Sequence, residues 1–273
     1  MPAGLLYCAG FQVSSSASMT ATVAGSAATI ASGYYMPAMQ TSLVYPSPGV
    51  AYAGAAYTNF TTAVETAFDA ATATTFTVTF NTTTGLYTIS RATTFTLTFS
   101  SASDLRLRAA LGFTANRTSS FVGGAWTLTS DVVPAYVCRS EILGRSNVMG
   151  QVEPDEIAEE TVSDGGEAFV ITRKSGEFLM TWQQTMEPRS AVYEWASYVA
   201  ASSSSIPWSW QQWFRHTRGT HPFYVNDTLE GEPNGAVYRL TAKGASFRPQ
   251  RVTADYDDQW VVPFEARWLG RYN

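Results

Sequence analysis

The sequence predicts a mostly β, α+β fold: an N-terminal α+β domain, then a C-terminal sheet or small barrel with one packed helix. Short runs of alternating apolar and polar residues recur along the chain, as expected of half-buried strands. Charge is unevenly spread, because residues 1–130 hold three acids and four arginines whereas residues 131–273 hold 19 acids and 13 bases. We therefore expect two parts.

The composition excludes several classes of protein. The 273 residues are 45% hydrophobic, 14% aromatic and 14% charged, which excludes a disordered chain. No apolar run reaches the roughly 18 residues of a spanning helix, so no membrane association is expected. The formal net charge is −5, so the composition gives no sign of the basic surface that nucleic-acid binding proteins carry, and specific nucleic-acid binding is not expected. Cys8 and Cys138 are too few for a disulfide framework, and we expect two buried thiols.

Residues 1–57 are rich in Ala, Ser, Thr, Gly and Tyr and show no helical period. Residues 20–30 are a weak strand candidate, and residues 45–49 are a predicted turn. The first 64 residues contain no charged side chain. Because a long uncharged segment tends to stick to its neighbours, we expect this one to be covered in an assembly.

From residue 58 the pattern predicts a compact α+β order. Apolar residues at Phe60, Val64 and Phe68 have helical spacing, with a capping-box pattern at Thr62 and Glu65. Three alternating strands, a short helix capped at Ser103-Asp104 and a fourth strand are predicted next. The predicted strands are residues 76–80, 86–89, 95–99 and 126–128, and the predicted helix is residues 103–111. Gly85 closes the turn between the first two strands, and Gly112 ends the helix.

Residues 136–166 are predicted to connect a first domain at residues 1–135 with a second at residues 167–273. The stretch from Val152 to Glu160 is acidic, which is typical of a solvated connector or arm. The second domain is predicted to begin with a hairpin and a helix, followed by four strands. Its elements lie at residues 168–183 (turn at 174–176), 190–201, 221–225, 236–240, 246–252 and 259–268.

Trp208, Trp210 and Trp213 form a dense aromatic cluster in the second domain. Large aromatic side chains fill cores and subunit seams, and they also form platforms for ligands. The favoured interpretation is a core or an interface between subunits. The alternative is a ligand platform that also includes Tyr224.

Metal and cofactor sites are not predicted. His216 and His221 lack the helical spacing of a zinc-binding pair, so stacking or a hydrogen bond to backbone is expected. The acidic turn from Asp255 to Asp258 lacks the spacing of a calcium-binding loop. Glycine-rich phosphate-binding motifs are absent from the sequence.

Two carboxylates stand beside tryptophans, as in many sugar sites: Glu194 precedes Trp195, and Glu265 lies near Trp268. Both glutamates fall inside predicted regular elements whose opposite face is apolar. We therefore expect them to face solvent or an interface, and a glycoside hydrolase is the least favoured alternative.

Residues 58–113 resemble a pattern found in virion proteins of tailed bacteriophages and other double-stranded DNA viruses. The pattern is a short helix, an F-x-V-x-F strand, a T-G-x-Y-T-I hairpin, an F-x-L-x-F strand and a terminal L-G-F. The second half is more loosely similar to phage tail-tube, distal-tail and adaptor proteins. In those proteins a hairpin, a helix and a long closing strand build a split β-barrel that assembles into a ring; the corresponding segments here are 168–183, 190–201 and 259–269.

The resemblance implies a non-enzymatic structural protein of the virion tail, assembled in the host cytoplasm. It implies a homo-oligomeric ring of three or six subunits that contacts other tail proteins in the tube, distal tail, adaptor or baseplate. An acidic lumen would repel phosphates and let the genome pass. A carbohydrate- or receptor-binding module of a virion is the alternative.

Overall fold

The computed structural model describes residues 6–37, 57–139, 148–162, 168–188, 193, 209–218, 221–226, 236–241, 246–251 and 259–271. Over these ranges the chain is mostly β with three helices, which confirms the predicted mostly β, α+β class. The predicted helix at residues 190–201 lies outside the described residues, apart from Tyr193.

Nineteen strands and three helices occupy the described ranges. In the first half the strands are β1 (Leu6–Ala9), β2 (Phe11–Val13), β3 (Thr20–Val23), β4 (Ser26–Thr29), β5 (Gly33–Met36), β6 (Tyr57–Asn59), β7 (Thr77–Asn81), β8 (Leu86–Arg91), β9 (Thr96–Thr98), β10 (Arg117–Thr118), β11 (Ser120–Val122), β12 (Ala125–Thr129) and β13 (Val137–Arg139). The later strands are β14 (Val148–Val162), β15 (Ala168–Pro188), β16 (Phe223–Asn226), β17 (Ala236–Leu240), β18 (Gln250–Arg251) and β19 (Gln259–Arg271). The helices are α1 (Phe60–Thr72), α2 (Ala102–Leu111) and α3 (Trp210–Thr217).

The first half forms two four-stranded sheets, β10-β9-β3-β4 and β11-β12-β8-β7, with a small sheet β2-β5-β6. Helices α1 and α2 pack against these sheets around one core, to which Phe60, Phe68, Tyr87 and Phe95 contribute fully buried or nearly fully buried rings. Each such side chain contributes about 1.5–3 kcal/mol by leaving water. The predicted strands at 76–80, 86–89, 95–99 and 126–128 are confirmed as β7, β8, β9 and β12.

Both predicted helices exist, but each begins earlier than expected. Helix α1 is capped by Asn59, whose side chain accepts from the Thr61 N–H, and not by Thr62. Glu65 instead accepts from the Val78 N–H at 2.7 Å, which ties α1 to β7. Helix α2 begins with a capping box formed by Ser101 and Asp104, and it ends at Gly112 with φ +75° as predicted.

The second half is built on one sheet of eight strands in the order β13-β1-β16-β17-β19-β15-β14, with β18 beside β19. Strand β1, from the first nine residues of the chain, lies between β13 and β16 and is buried along its whole length. Residues 6–9 are therefore an interior strand of the second-half sheet, across the boundary expected near residue 135.

The sheet corrects two expectations for the second half. Its described strands form an open sheet, so the expected barrel-like closure is wrong for this part of the chain. The expected hairpin within residues 168–183 is also wrong, because β15 runs without a turn from Ala168 to Pro188. Its hairpin partner is β14, which forms from the acidic segment expected to be a connector. The four later strand predictions correspond to β16, β17, β18 and β19.

Candidate functional site

Helix α3 carries the central part of the tryptophan cluster. Ser209 and Gln212 form a capping box at its start: the Ser209 hydroxyl accepts from the Gln212 N–H at 3.3 Å, and the Gln212 side chain accepts from the Ser209 N–H at 3.2 Å. Within the helix, Trp210, Trp213 and Phe214 are buried, at the i, i+3, i+4 spacing of one helix face. The cap thus fixes where the helix begins, and the spacing turns its aromatic face inward.

Trp210 and Trp213 pack edge-on against the Tyr7 ring at centroid distances of 4.7 and 5.9 Å, and Trp213 meets Phe223 at 4.8 Å. Tyr224 is also buried, but it belongs to a separate cluster with Leu6 and Cys8 and donates its hydroxyl to the Pro37 carbonyl.

The predicted platform is therefore not assembled among the described residues. Consecutive residues of a strand face opposite sides of the sheet, so β16 sends Phe223 to the tryptophans and Tyr224 away from them. Trp210, Trp213 and Tyr224 present no open ring face to solvent. Trp208 lies outside the described residues.

The two histidines form a stacked pair where the start of the chain meets the second half. Their ring centroids are 4.5 Å apart with an interplanar angle of 12°. His216 donates from Nε2 to the Gly10 carbonyl at 2.7 Å, and His221 Nδ1 shares a hydrogen bond of 2.9 Å with the Tyr57 hydroxyl. Burial lowers the pKa of each histidine to about 4, with the charge of His221 adding to the effect on His216. The pair is neutral at physiological pH, and it shows both the stacking and the backbone hydrogen bond that were expected.

Of the two glutamates considered for catalysis, the structure describes Glu265. Glu265 is half-buried and accepts from the Thr241 hydroxyl at 2.6 Å. Glu194 and the Asp255–Asp258 turn lie outside the described residues. Within the described ranges there is no group of three or more His, Cys, Asp or Glu side chains that could hold a metal ion.

Both cysteines are buried thiols outside any disulfide, as predicted. Burial raises the pKa of Cys8 to about 12, against a smaller lowering by its hydrogen bond with Tyr224. Since the thiolate is the reactive form, Cys8 is an inert packing residue at neutral pH.

The most exposed apolar side chains described lie at the turn between β11 and β12. Phe121 and Val122 are 62% and 61% exposed, although both belong to strand β11. The turn itself is Gly123-Gly124, and both glycines have positive φ, at +62° and +91°. We call Phe121 and Val122 the apolar tip. This hairpin was not predicted, although a Gly-Gly pair between two apolar dipeptides is a recognised sequence signal for a two-residue turn.

A cavity of about 610 Å³ lies between α1 and the strands that precede it. We call it the α1 groove. None of its lining residues is charged; they are Thr29, Ala31, Tyr35, Thr58, Asn59, Thr62, Ala63, Thr66, Ala67 and Ala70. The two carboxylates of α1 are engaged elsewhere, because Glu65 accepts from Val78 N–H and Asp69 from Phe76 N–H.

The open sheets also present strand edges. Among the described strands, β14 has a partner on one side only, and it is the longest edge at 15 residues. A strand with one free side offers its backbone N–H and C=O groups to another chain. These edges, the apolar tip and the α1 groove suit association between proteins.

No described helix is long and apolar enough to cross a membrane. Comparisons of the chain with models of protein families, with curated proteins and with solved structures give no match.

Proposed function

We propose that this protein is a non-enzymatic structural subunit of a tailed-bacteriophage virion, which assembles with copies of itself into a ring in the tail. The ring would belong to the tube, the distal tail or the adaptor and baseplate region. The proposal rests on how the chain exposes strand edges and on the resemblance of residues 58–113 to virion proteins.

The observation that carries the proposal is the edge formed by β14. At about 3.3 Å per residue, its 15 residues extend over roughly 50 Å. Strands in globular proteins are usually about 3–10 residues long, so a longer edge is unusual for an isolated chain. The regular part of β14 is residues 156–162, beyond Pro154 and two register shifts, and an added strand from a neighbour would satisfy the backbone groups there, as in other cases of strand addition.

The charge of β14 favours one kind of neighbour over another. Its sequence contains five acids and no base: Glu153, Asp155, Glu156, Glu159 and Glu160. Two such edges placed side by side would bring like charges opposite each other, which is destabilising. Pairing with a different surface of the next copy avoids this repulsion, and head-to-tail contacts of that kind form rings when the rotation between copies closes.

The resemblance adds the tailed-phage context. Its helix, its F-x-V-x-F strand, its hairpin and its F-x-L-x-F strand lie in α1, β7, β8 and β9. Of these elements, α1 forms one wall of the α1 groove, and all four contribute side chains to one core. The first 64 residues, which carry no charge, supply β1 of the eight-stranded sheet, all three strands of the small sheet, and β3 and β4, as well as part of the groove wall.

The proposal is tested by the oligomeric state of the purified chain. Light scattering after size exclusion, with negative-stain images of the same peak, is expected to give closed rings of three or six copies. The variant Glu159→Lys with Glu160→Lys is expected to weaken assembly by reversing charge on the β14 edge. The matched variant Glu159→Gln with Glu160→Gln removes the charge but keeps the shape, and it is expected to retain rings. A monomer at all concentrations would overturn the proposal.

A further inference from the structure

We propose that the apolar tip of one copy, Phe121 and Val122, inserts into the α1 groove of a neighbouring copy. The contact rests on the proposed function only in that it requires copies of this chain to associate. It names which surfaces meet, and it has a test of its own.

The apolar tip is neutral, narrow and held in place, and these three features favour its insertion into a groove. No charged residue occurs between Arg117 and Asp131, so the hairpin is neutral along its length. The two-glycine turn keeps its end narrow, and the Phe121 ring is supported from the side by Trp126 at a centroid distance of 5.6 Å. A side chain already held in place loses little conformational freedom on binding. The tip is therefore preorganised as well as exposed.

The α1 groove suits an apolar occupant. Its volume of about 610 Å³ lies within the range of roughly 300–1,000 Å³ typical of binding pockets. A solvated helix usually carries charges on its outer face, whereas the groove side of α1 presents alanines and threonines. The carboxylates of Glu65 and Asp69 are held by backbone N–H groups of the segment that enters β7. Charge is thus kept away from the groove.

Three of the hydroxyl groups at the groove wall already donate hydrogen bonds within the chain. The Thr66 hydroxyl donates to the Thr62 carbonyl at 2.8 Å, and the Tyr35 hydroxyl donates to the Ala31 carbonyl at 2.9 Å. The Thr58 hydroxyl donates to the Tyr34 carbonyl at 3.2 Å. An apolar side chain can replace water here without leaving these donors unpaired, which is the main penalty on covering polar surface.

The occupant is a second copy and not the same chain. Strands β11 and β12 lie at one end of the sheet β11-β12-β8-β7, whereas α1 contacts β7 at the other end. The exposure of Phe121 and Val122 shows that they do not fill a groove of their own chain. Since tip and groove are different surfaces, their contact is heterologous, so it propagates from copy to copy and forms a ring where the rotation between copies closes.

The size of the contact limits what it can do alone. An aromatic side chain buries about 150–250 Å², so the tip buries a few hundred square ångströms at most. Stable complexes bury about 1,200–2,000 Å². The tip is thus an anchor within a larger interface, to which the β14 edge is the natural addition. Anchors of this kind dominate binding although they cover little area.

Cysteine cross-linking tests the contact directly, because both native thiols are buried. One full-length variant carries Val122→Cys and the other Thr66→Cys; both positions are exposed. Mild oxidation of the mixture is expected to give a disulfide-linked dimer containing one copy of each variant. Neither variant alone is expected to cross-link. Dimers formed by Val122→Cys alone as readily as by the mixture would indicate tip-to-tip contact and overturn the inference.

A second pair of variants measures the effect on assembly. Phe121→Ser is expected to weaken self-association at least tenfold, since it removes the anchor. Leu105→Ser, which removes an exposed apolar side chain from α2, is the matched control and is expected to have no effect. Thr66→Glu, which places a charge in the groove, is expected to act like Phe121→Ser, whereas Ala92→Glu at an exposed bend is its control.

The outcomes separate this inference from the proposed function. Rings that form without the mixed cross-link, and that tolerate Phe121→Ser, would overturn the inference and leave the proposed function standing. Mixed cross-links without rings would support the inference and overturn ring formation. A chain that remains monomeric and gives no cross-link would overturn both.

Discussion

His216 and His221 stack face to face, 4.5 Å between ring centroids, at the point where the start of the chain joins the second half. His216 holds the Gly10 carbonyl, and His221 holds the Tyr57 hydroxyl. Both partners belong to the segment without charged residues. The pair therefore couples the N-terminal segment to α3 and to the strand entry at β16.

Acid is expected to destabilise the fold through this pair. The pKa of each histidine is about 4 in the folded chain against an ordinary value of 6.5, so the unfolded chain binds protons more readily. Stability is then full above about pH 6.5 and is lost as pH falls towards 4. For the more deeply buried His216, the loss between pH 7 and 4.5 is on the order of 2 kcal/mol.

Denaturant unfolding at pH 7 and pH 4.5 measures this dependence. His216→Gln is expected to lower stability at pH 7 and to flatten the loss between the two pH values. If the variant loses as much stability as the native chain over that range, the histidine account is wrong.

Asp104 is expected to be a structural carboxylate that joins α2 to β3. Burial raises its pKa, but hydrogen bonds from Thr20, Ser100 and Ser101 outweigh that effect and bring the pKa to about 2. Asp104→Asn is expected to cost about 1–3 kcal/mol of unfolding free energy, because the amide cannot accept all of these bonds. The exposed neighbour substitution Ala102→Asn should change stability by less than about 0.7 kcal/mol.

The pH dependence gives a second measurement on Asp104. Because its folded pKa lies below the ordinary 3.8, its contribution is present above that value and is lost as pH falls towards 2. An Asp104→Asn variant that unfolds with the same free energy as the native chain would contradict this role.

Two glycines at similar backbone angles are expected to differ in their tolerance of a side chain. Gly112 has φ +75°, and a Cβ there would meet the Val132 carbonyl oxygen at 2.2 Å. Gly123 has φ +62° with nothing within 4 Å of a Cβ. Gly123→Ala is therefore expected to lower the unfolding free energy by roughly 1 kcal/mol, the strain of a side chain in the left-handed region. Gly112→Ala is expected to lower it by well over that amount, because the clash adds to the strain. Equal melting temperatures for the two variants would contradict this expectation, because they would mean that the Val132 backbone shifts at no cost in stability.

Trp213 is expected to act as a core residue. It is fully buried against Tyr7 and Phe223, so Trp213→Ala is expected to lower the unfolding free energy by about 3–5 kcal/mol. Trp126, at the half-buried base of the apolar tip, is the contrasting position, where the same change should cost less. Thermal unfolding of both variants checks this order, and a Trp213→Ala protein as stable as the native chain would refute a core role.

The sequence could predict the elements whose pattern is local. Phe76, Val78 and Phe80 alternate with threonines, and the strands around them were found. Strand β1 escaped prediction because all four of its residues are buried and its partners, β13 and β16, lie far along the chain. The weak strand predicted at residues 20–30 is two strands, β3 and β4, of four residues each, which is too short for the pattern to locate the turn between them.

The candidate surfaces likewise combine features that are visible in the local sequence with features that depend on the tertiary fold. The Gly123-Gly124 turn was visible in the sequence, but the exposure of Phe121 depends on β11 lying at the edge of its sheet. The α1 groove is uncharged because the Glu65 and Asp69 side chains point away from it. Their direction is set by the hydrogen bonds that they accept from the Val78 and Phe76 N–H groups. Spacing along the helix gives no sign of that choice.

The central claim is that copies of this chain associate head to tail into a closed ring, and its mass in solution tests that claim most directly. Light scattering after size exclusion, over a hundredfold range of concentration, is expected to give three or six times the 29.7 kDa of one chain. A constant mass of 29.7 kDa across that range would contradict the account.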